Sequence, residues 1–235
     1  AAKEAPSAAP DPVLLAEIER RLGYEYPFAQ LEGVVAKRIA SKLDPTEADN
    51  EYFASRRPSF AGRGRLTPAQ RGTATHRFMQ YADYSRACKS VADELTRLTE
   101  DGMLTAEEAN AVDARAVARF FDSGLYARMS RAERIYKEYS FTCSVPVSEL
   151  YPQLPCGLAD GEVVLIEGVA DCAFVEGGEL VVVDYKTDKA SSAAELAERY
   201  GAQLGIYRRC LAEVLGMPVK ETVIYSFRLN ESITL

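Results

Sequence analysis

Two aspartates and a lysine, Asp171, Asp184 and Lys186, are embedded in two otherwise apolar runs, VVLIEGVADCAFVE and ELVVVDYKT. Carboxylates one side chain apart repel each other unless a cation or a shared proton lies between them. A hard divalent ion relieves that repulsion usefully, because Mg²⁺ takes one or two carboxylates and keeps positions for water and phosphate oxygens. Water coordinated in this way becomes acidic enough to supply a nucleophile near neutral pH. An ammonium such as that of Lys186 can orient the water or neutralise charge building on a pentavalent phosphate. These residue types suit metal-assisted phosphodiester hydrolysis. Asp-x-Lys near a strand end also fits a surface ion pair, although an aspartate inside an apolar strand needs a partner.

Whether the three groups meet depends on the turn between the runs. Glu176-Gly177-Gly178-Glu179 predicts a hairpin, because two-residue primed turns need φ > 0, which glycine supplies. With Gly177 and Gly178 as the turn, Glu176 faces Glu179 and Asp171 faces Asp184. Directly opposed residues share a face with Cβ atoms roughly 4.5–5.5 Å apart. Strand alternation then brings Lys186 to that face.

Helices must carry further groups to this hairpin. Thr67-Pro68-Ala69-Gln70 has N-cap, N1 and N3 signals and predicts a helix to about Thr99, with Tyr84, Cys88, Val91, Leu95 and Leu98 as its apolar stripe. It carries His76, the one histidine in the chain. Gly72, one turn earlier on the same face, would admit a close neighbour. Ser192-Ala-Ala-Glu195 opens another helix, expected to end at Gly216-Met217-Pro218, with Gln203 beside Tyr200 and Tyr207 on its inward side. Val219–Phe227 reads as a strand, so strand, helix and strand suggest a βαβ crossover. Elsewhere helices are expected at 12–22, around 29–43 and at 105–121, with a further capping pattern at Ser130–Glu133. A strand is expected from Tyr136 to Val147. The class is α/β, with a mixed sheet and helices gathered N-terminally.

Bulk properties narrow the field. The chain has 235 residues and a net charge of −7, so its surface as a whole does not advertise nucleic-acid binding. One local exception runs from Tyr52 to Ala82, where no acid occurs and Arg56, Arg57, Arg63, Arg65, Arg71 and Arg77 alternate with Tyr52, Phe53, Phe60 and Phe78. That stripe fits either a strand-tracking surface or a solvated arm. Five scattered cysteines form no C-x-x-C and suit free thiols in a reducing compartment. No apolar run reaches a membrane span and no signal peptide opens the chain. Residues 1–11 (AAKEAPSAAPD) read as a tether, and the absence of an initial Met suggests a piece of a longer protein. A single histidine excludes a two-histidine zinc site, and there is neither a G-x-S-x-G elbow nor a P-loop. On the residues alone, His76 also fits a structural histidine, Gln203 a loop cap and Tyr207 a core residue.

Taken together, Gly72-Thr-Ala-Thr-His76, Gly168-Val-Ala-Asp171, Asp184-Tyr-Lys186-Thr-Asp188 and Gln203-Leu-Gly-Ile-Tyr207 resemble the RecB-type branch of the PD-(D/E)xK nucleases. Within it, they resemble the C-terminal nuclease domains of the AddA family of bacterial helicase–nucleases. The resemblance covers residues 67–229 and extends more weakly to 23–61. It implies a restriction-endonuclease-like core with a mixed central sheet flanked by helices and an N-terminal helical arm. It divides the chain into a linker or arm, 1–66, and a nuclease domain, 67–235. Asp171 and Asp184 would bind catalytic Mg²⁺, with Mn²⁺ able to substitute, joined by His76 and the main-chain carbonyl of Tyr185. Lys186 would assist the attacking water, and Gln203 and Tyr207 would support the site and contact DNA. Glu138, in Tyr-Lys-Glu138-Tyr-Ser-Phe, matches an acidic position before the sheet. One departure is Ala170, where the superfamily pattern has proline.

The implied function is Mg²⁺-dependent, exonucleolytic cleavage of single-stranded DNA, on the strand ending 3′, during double-strand break repair in the bacterial cytoplasm. The implied partners are DNA, the helicase portion of the same polypeptide and an AddB-type protein. Two alternatives are a catalytically silent nuclease fold that guides DNA or docks a partner, and a stand-alone RecB-like exonuclease.

Overall fold

The computed structural model describes residues 11–26, 28–40 and 67–235. In chain order the elements are α1 (Pro12–Leu22), β1 (Lys37–Ile39), α2 (Pro68–Tyr81), α3 (Tyr84–Ala87), α4 (Val91–Glu100), α5 (Ala106–Ala111), α6 (Ala114–Phe121) and α7 (Gly124–Met129). They continue as β2 (Arg134–Pro146), α8 (Val147–Leu150), β3 (Val163–Glu176), β4 (Glu179–Lys186), α9 (Ala193–Leu215), β5 (Val219–Ser226) and β6 (Glu231–Thr234). Contacts group residues 1–35 with 146–163 in one unit, and 36–145 with 164–235 in another. The smaller unit carries α1, capped by the Asp11 carboxylate accepting from the Val13 amide. Every candidate site residue belongs to the larger unit. Among the described residues no helix is long and apolar enough to cross a membrane.

The sheet is mixed, in the order β1-β3-β4-β5-β6, with β2 also paired to β3. Its centre is the β3–β4 hairpin. Gly177 and Gly178 both have positive φ, +65° and +79°, and the ladder runs from Glu176↔Glu179 to Cys172↔Val183. This is the register that the two-glycine turn dictates. Beyond Cys172 the Tyr185 amide donates to the Asp171 carboxylate at 2.8 Å. From β4 the chain crosses over through α9 to the parallel strand β5. Ser192 caps α9 by accepting from the Glu195 amide, and Gly216 closes it at φ +62°.

Alternation along the hairpin sends side chains to two opposed layers. Cys172, Phe174, Val181, Val183 and Tyr185 join the larger core, built with α2–α7. There Phe120 meets Tyr185 and Tyr225 edge to face, at ring separations of 5.5 and 4.8 Å. Asp171, Asp184 and Lys186 occupy the alternate positions, and Lys186 meets Tyr200 of α9.

Several expectations need correction. The helix expected from Thr67 to Thr99 is three helices. Ala82 is extended, and Asp83 and Ser90 each cap a fresh start by accepting from the Ser85 and Asp93 amides. The 105–121 helix likewise divides at Val112, with Asp113 capping α6. Ser130–Glu133 opens no helix: Ser130 ends α7, and the Glu133 amide donates to the Val175 carbonyl on the way into β2. Around 29–43 stand a single 3₁₀ turn, Ala29–Leu31, and the short strand β1, which lies parallel to β3. Cys143 of β2 and Cys210 of α9 are joined in a disulfide, so these two are not free thiols. The 67 residues between them hide a pair that only the fold brings together.

Candidate active site

The helix α2 carries His76 to the hairpin because Gly72, one turn earlier on the same face, leaves room. A Cβ at Gly72 would lie 2.9 Å from the Thr187 hydroxyl, just past the end of β4. His76 Nδ1 stands 3.3 Å from Asp171 Oδ1. The other oxygen of Asp171 accepts the Tyr185 amide. Burial disfavours charge on both groups, but their mutual attraction prevails. It raises the His76 imidazolium to about 9 and holds the Asp171 carboxyl below its ordinary value, with help from the Tyr185 amide and Lys186.

Asp184 is in a different position. It is 4% exposed, and its Oδ2 is a buried oxygen without a hydrogen-bond partner among the described residues. Lys186 Nζ approaches that oxygen at 3.1 Å, an ion-pair distance without hydrogen-bond alignment. Burial chiefly, and repulsion from Asp171, push the Asp184 carboxyl up to about 6 against the pull of Lys186. For Lys186, burial works against the charge, but Asp184, Tyr200 and Asp171 reverse this and strengthen its hold on the proton. A buried carboxylate oxygen left short of donors is suited to a cation.

Glu138 completes the acidic group. Its side chain, with His76 and Asp171, offers ligand atoms within 4.8 Å of one another, and Asp184 stands outside that set. Glu138 has φ +47°, a left-handed conformation uncommon for a residue with a side chain. Burial and the charge of Asp171 both raise its carboxyl, and His76 opposes them. One nitrogen and two or three carboxylate oxygens make a donor set that fits a divalent ion. Composition and spacing alone gave no reason to connect Glu138 with a histidine 62 positions earlier.

Gln203 and Tyr207 lie one turn apart on α9, the Gln203 amide donating to the Tyr207 hydroxyl at 3.1 Å. Burial first, with Asp184 and Asp171 adding to it, raises the Tyr207 phenol to about 12. Its ring packs edge to face on Phe141 at 5.3 Å. Phe141 in turn occupies the space that Gly168 leaves open, where a Cβ would overlap its ring. The glycine of Gly168-Val-Ala-Asp171 therefore lets β2 approach closely enough to seat Tyr207.

A profile of the PD-(D/E)XK nuclease superfamily matches residues 50–233. The chain belongs to that superfamily. It is 33% identical over 234 residues to an ATP-dependent helicase/nuclease subunit of Geobacillus thermodenitrificans, covering 90% of this chain and 19% of that protein. The proteins of the same name from Desulforamulus reducens and Clostridium kluyveri are 33% and 32% identical, over 95% and 90% of this chain. The chain thus spans about a fifth of the length of these curated relatives. Of the arginine stripe, Arg56, Arg57, Arg63 and Arg65 lie outside the described residues, as do Tyr52, Phe53 and Phe60. Phe78 is fully buried in the core and is not a surface for bases, while Arg77 pairs with Glu108.

Proposed function

We propose that this nuclease domain is a divalent-metal-dependent deoxyribonuclease acting on single-stranded DNA. The observation that carries this reading is the buried, unpartnered Oδ2 of Asp184 beside the His76–Glu138–Asp171 group. Asp171 and Asp184, with His76, Glu138 and the Tyr185 carbonyl, would hold Mg²⁺ or Mn²⁺. When bound, the ion supplies positive charge at the scissile phosphate and acidifies water. His76 gives up its proton to serve as a ligand, and Asp171 stays oriented by the Tyr185 amide. The Lys186 ammonium keeps its proton and faces negative charge building on the phosphate. Gln203 and Tyr207 present an amide and a hydroxyl for a phosphate or leaving oxygen.

The relatives' name supports a setting in which a helicase on the same polypeptide feeds the strand, with an AddB-type partner, during break repair. Strand exit from such a motor favours exonucleolytic cleavage. It also relieves the acidic domain of the need to capture DNA unaided.

Incubation of end-labelled single-stranded DNA with Mg²⁺ or Mn²⁺ tests the reading. Wild type should cleave, and Asp184→Ala should lose on the order of 10³-fold or more in rate. Equal cleavage by both proteins would overturn the assignment. No cleavage by either would favour the silent, DNA-guiding alternative.

A further inference from the structure

Tyr200 reads in sequence as one more apolar residue of the α9 stripe, three residues before Gln203. In the fold it does something else. Its ring centroid is 3.9 Å from Lys186 Nζ, so the ring face covers the ammonium on the side away from Asp184. Its hydroxyl donates to Asp188 Oδ2, the last residue of Asp184-Tyr-Lys186-Thr-Asp188. Arg199 Nη1 lies 3.8 Å from the same Asp188 oxygen and also bonds Glu195 at 2.8 Å through Nη2. Tyr200 is 6% exposed. A ring held at its hydroxyl and packed into a helix face cannot turn away from the lysine.

We propose that Tyr200 is a positioning residue for Lys186. Lysine has a flexible stem and a point charge, and Asp184 restrains it from one side only. The electron-rich ring face supplies the second wall and keeps the charged form favoured there. Asp188 fixes the ring, which gives the second aspartate of the motif a purpose apart from ligation. Tyr200 would touch neither the ion nor the phosphate. This inference rests on Lys186 having the role assigned above.

Two measurements separate this inference from that reading. In metal-free protein, ring current from Tyr200 should shift the Lys186 ε-CH₂ proton resonances upfield in a ¹H–¹³C spectrum. The shift should persist in Tyr200→Phe and disappear in Tyr200→Leu. In Mg²⁺-dependent cleavage, Tyr200→Leu should lose about tenfold in kcat with KM for DNA within twofold, and Tyr200→Phe should recover most of it. Asp188→Asn, which leaves the ring but weakens its tether, should fall between the two. A Lys186 resonance without ring-current shift in wild type overturns the geometry. A normal shift with equal kcat in Tyr200→Leu overturns the positioning role. Loss of kcat in Tyr200→Leu and Tyr200→Phe alike, with thermal stability falling in parallel, assigns Tyr200 to the core instead. If wild type cleaves nothing, the nuclease reading fails, while the spectrum still decides whether the ring faces the lysine.

Discussion

The two ends of the β3–β4 hairpin treat charge in opposite ways. At the turn, Glu176 accepts two hydrogen bonds from Arg128, at 2.9 and 2.7 Å, and a third from Lys220 at 2.8 Å. Arg128 also reaches Glu221. These partners, Arg128 foremost, hold the Glu176 carboxyl down to about 2. At the far end Asp184 is buried and raised to about 6, with an oxygen unanswered. One end is a finished ion-pair cluster and the other an unfinished one. Charges that serve the fold are matched with donors; charges kept for a ligand are left partly unmatched, at a cost in stability.

The severest test inserts one residue between Gly177 and Gly178. It leaves the composition of both ends intact but slips Asp171 against Asp184 and turns side chains to the wrong face. DNA cleavage should fall on the order of 10³-fold while much of the helical circular dichroism remains. A fully active insertion mutant would show that the site end does not depend on the register set at the turn.

A smaller effect should separate the ends by sign. The folded pKa of Asp184 lies above the unfolded 3.8, so its ionised form is penalised in the folded state. That penalty is absent below about pH 4 and fully present above about pH 6. In EDTA at pH 8, Asp184→Asn should therefore stabilise the protein by about 1–3 kcal/mol, with no gain at pH 4. Calorimetry at both pH values checks this, and destabilisation at pH 8 would remove the contrast.

The smallest effect belongs to the turn. Glu176 has a depressed folded pKa, so its contribution is present above about pH 4.5 and is lost as pH falls through about 2. Glu176→Gln should lower stability at pH 7 by roughly 0.5–1 kcal/mol, since the cluster is partly solvated. Urea titration should show this difference shrinking toward pH 2, with cleavage by the variant within twofold of wild type.

The hairpin was legible in the sequence because its determinants are local: two glycines fix the turn, and alternation does the rest. The helices before it were less so. The apolar stripe from Tyr84 to Leu98 continues across Asp83 and Ser90, whose short polar side chains cap new helices only once the chain has turned. β1 and β6 are short strands, three and four residues long, drawn into the sheet by neighbours far away in sequence. The site divides along the same line. Asp171, Asp184 and Lys186 follow from one hairpin and strand period, whereas Glu138, Tyr200 and the Cys143–Cys210 bond exist only through tertiary contact.

Glu138 combines a backbone conformation that costs a residue with a side chain about 1 kcal/mol with a carboxyl that is itself hard to ionise there. Glycine or asparagine would be more comfortable at that position on both counts. Random drift in a chain that no longer cut DNA would run toward those residues and would be rewarded with stability. The identity of residue 138 is therefore a record of use: an acidic side chain persists there only while something is gained by keeping it. Among chains of this fold, that single position should separate working nucleases from retired ones more sharply than any buried apolar residue, because chemistry and stability ask for different amino acids there.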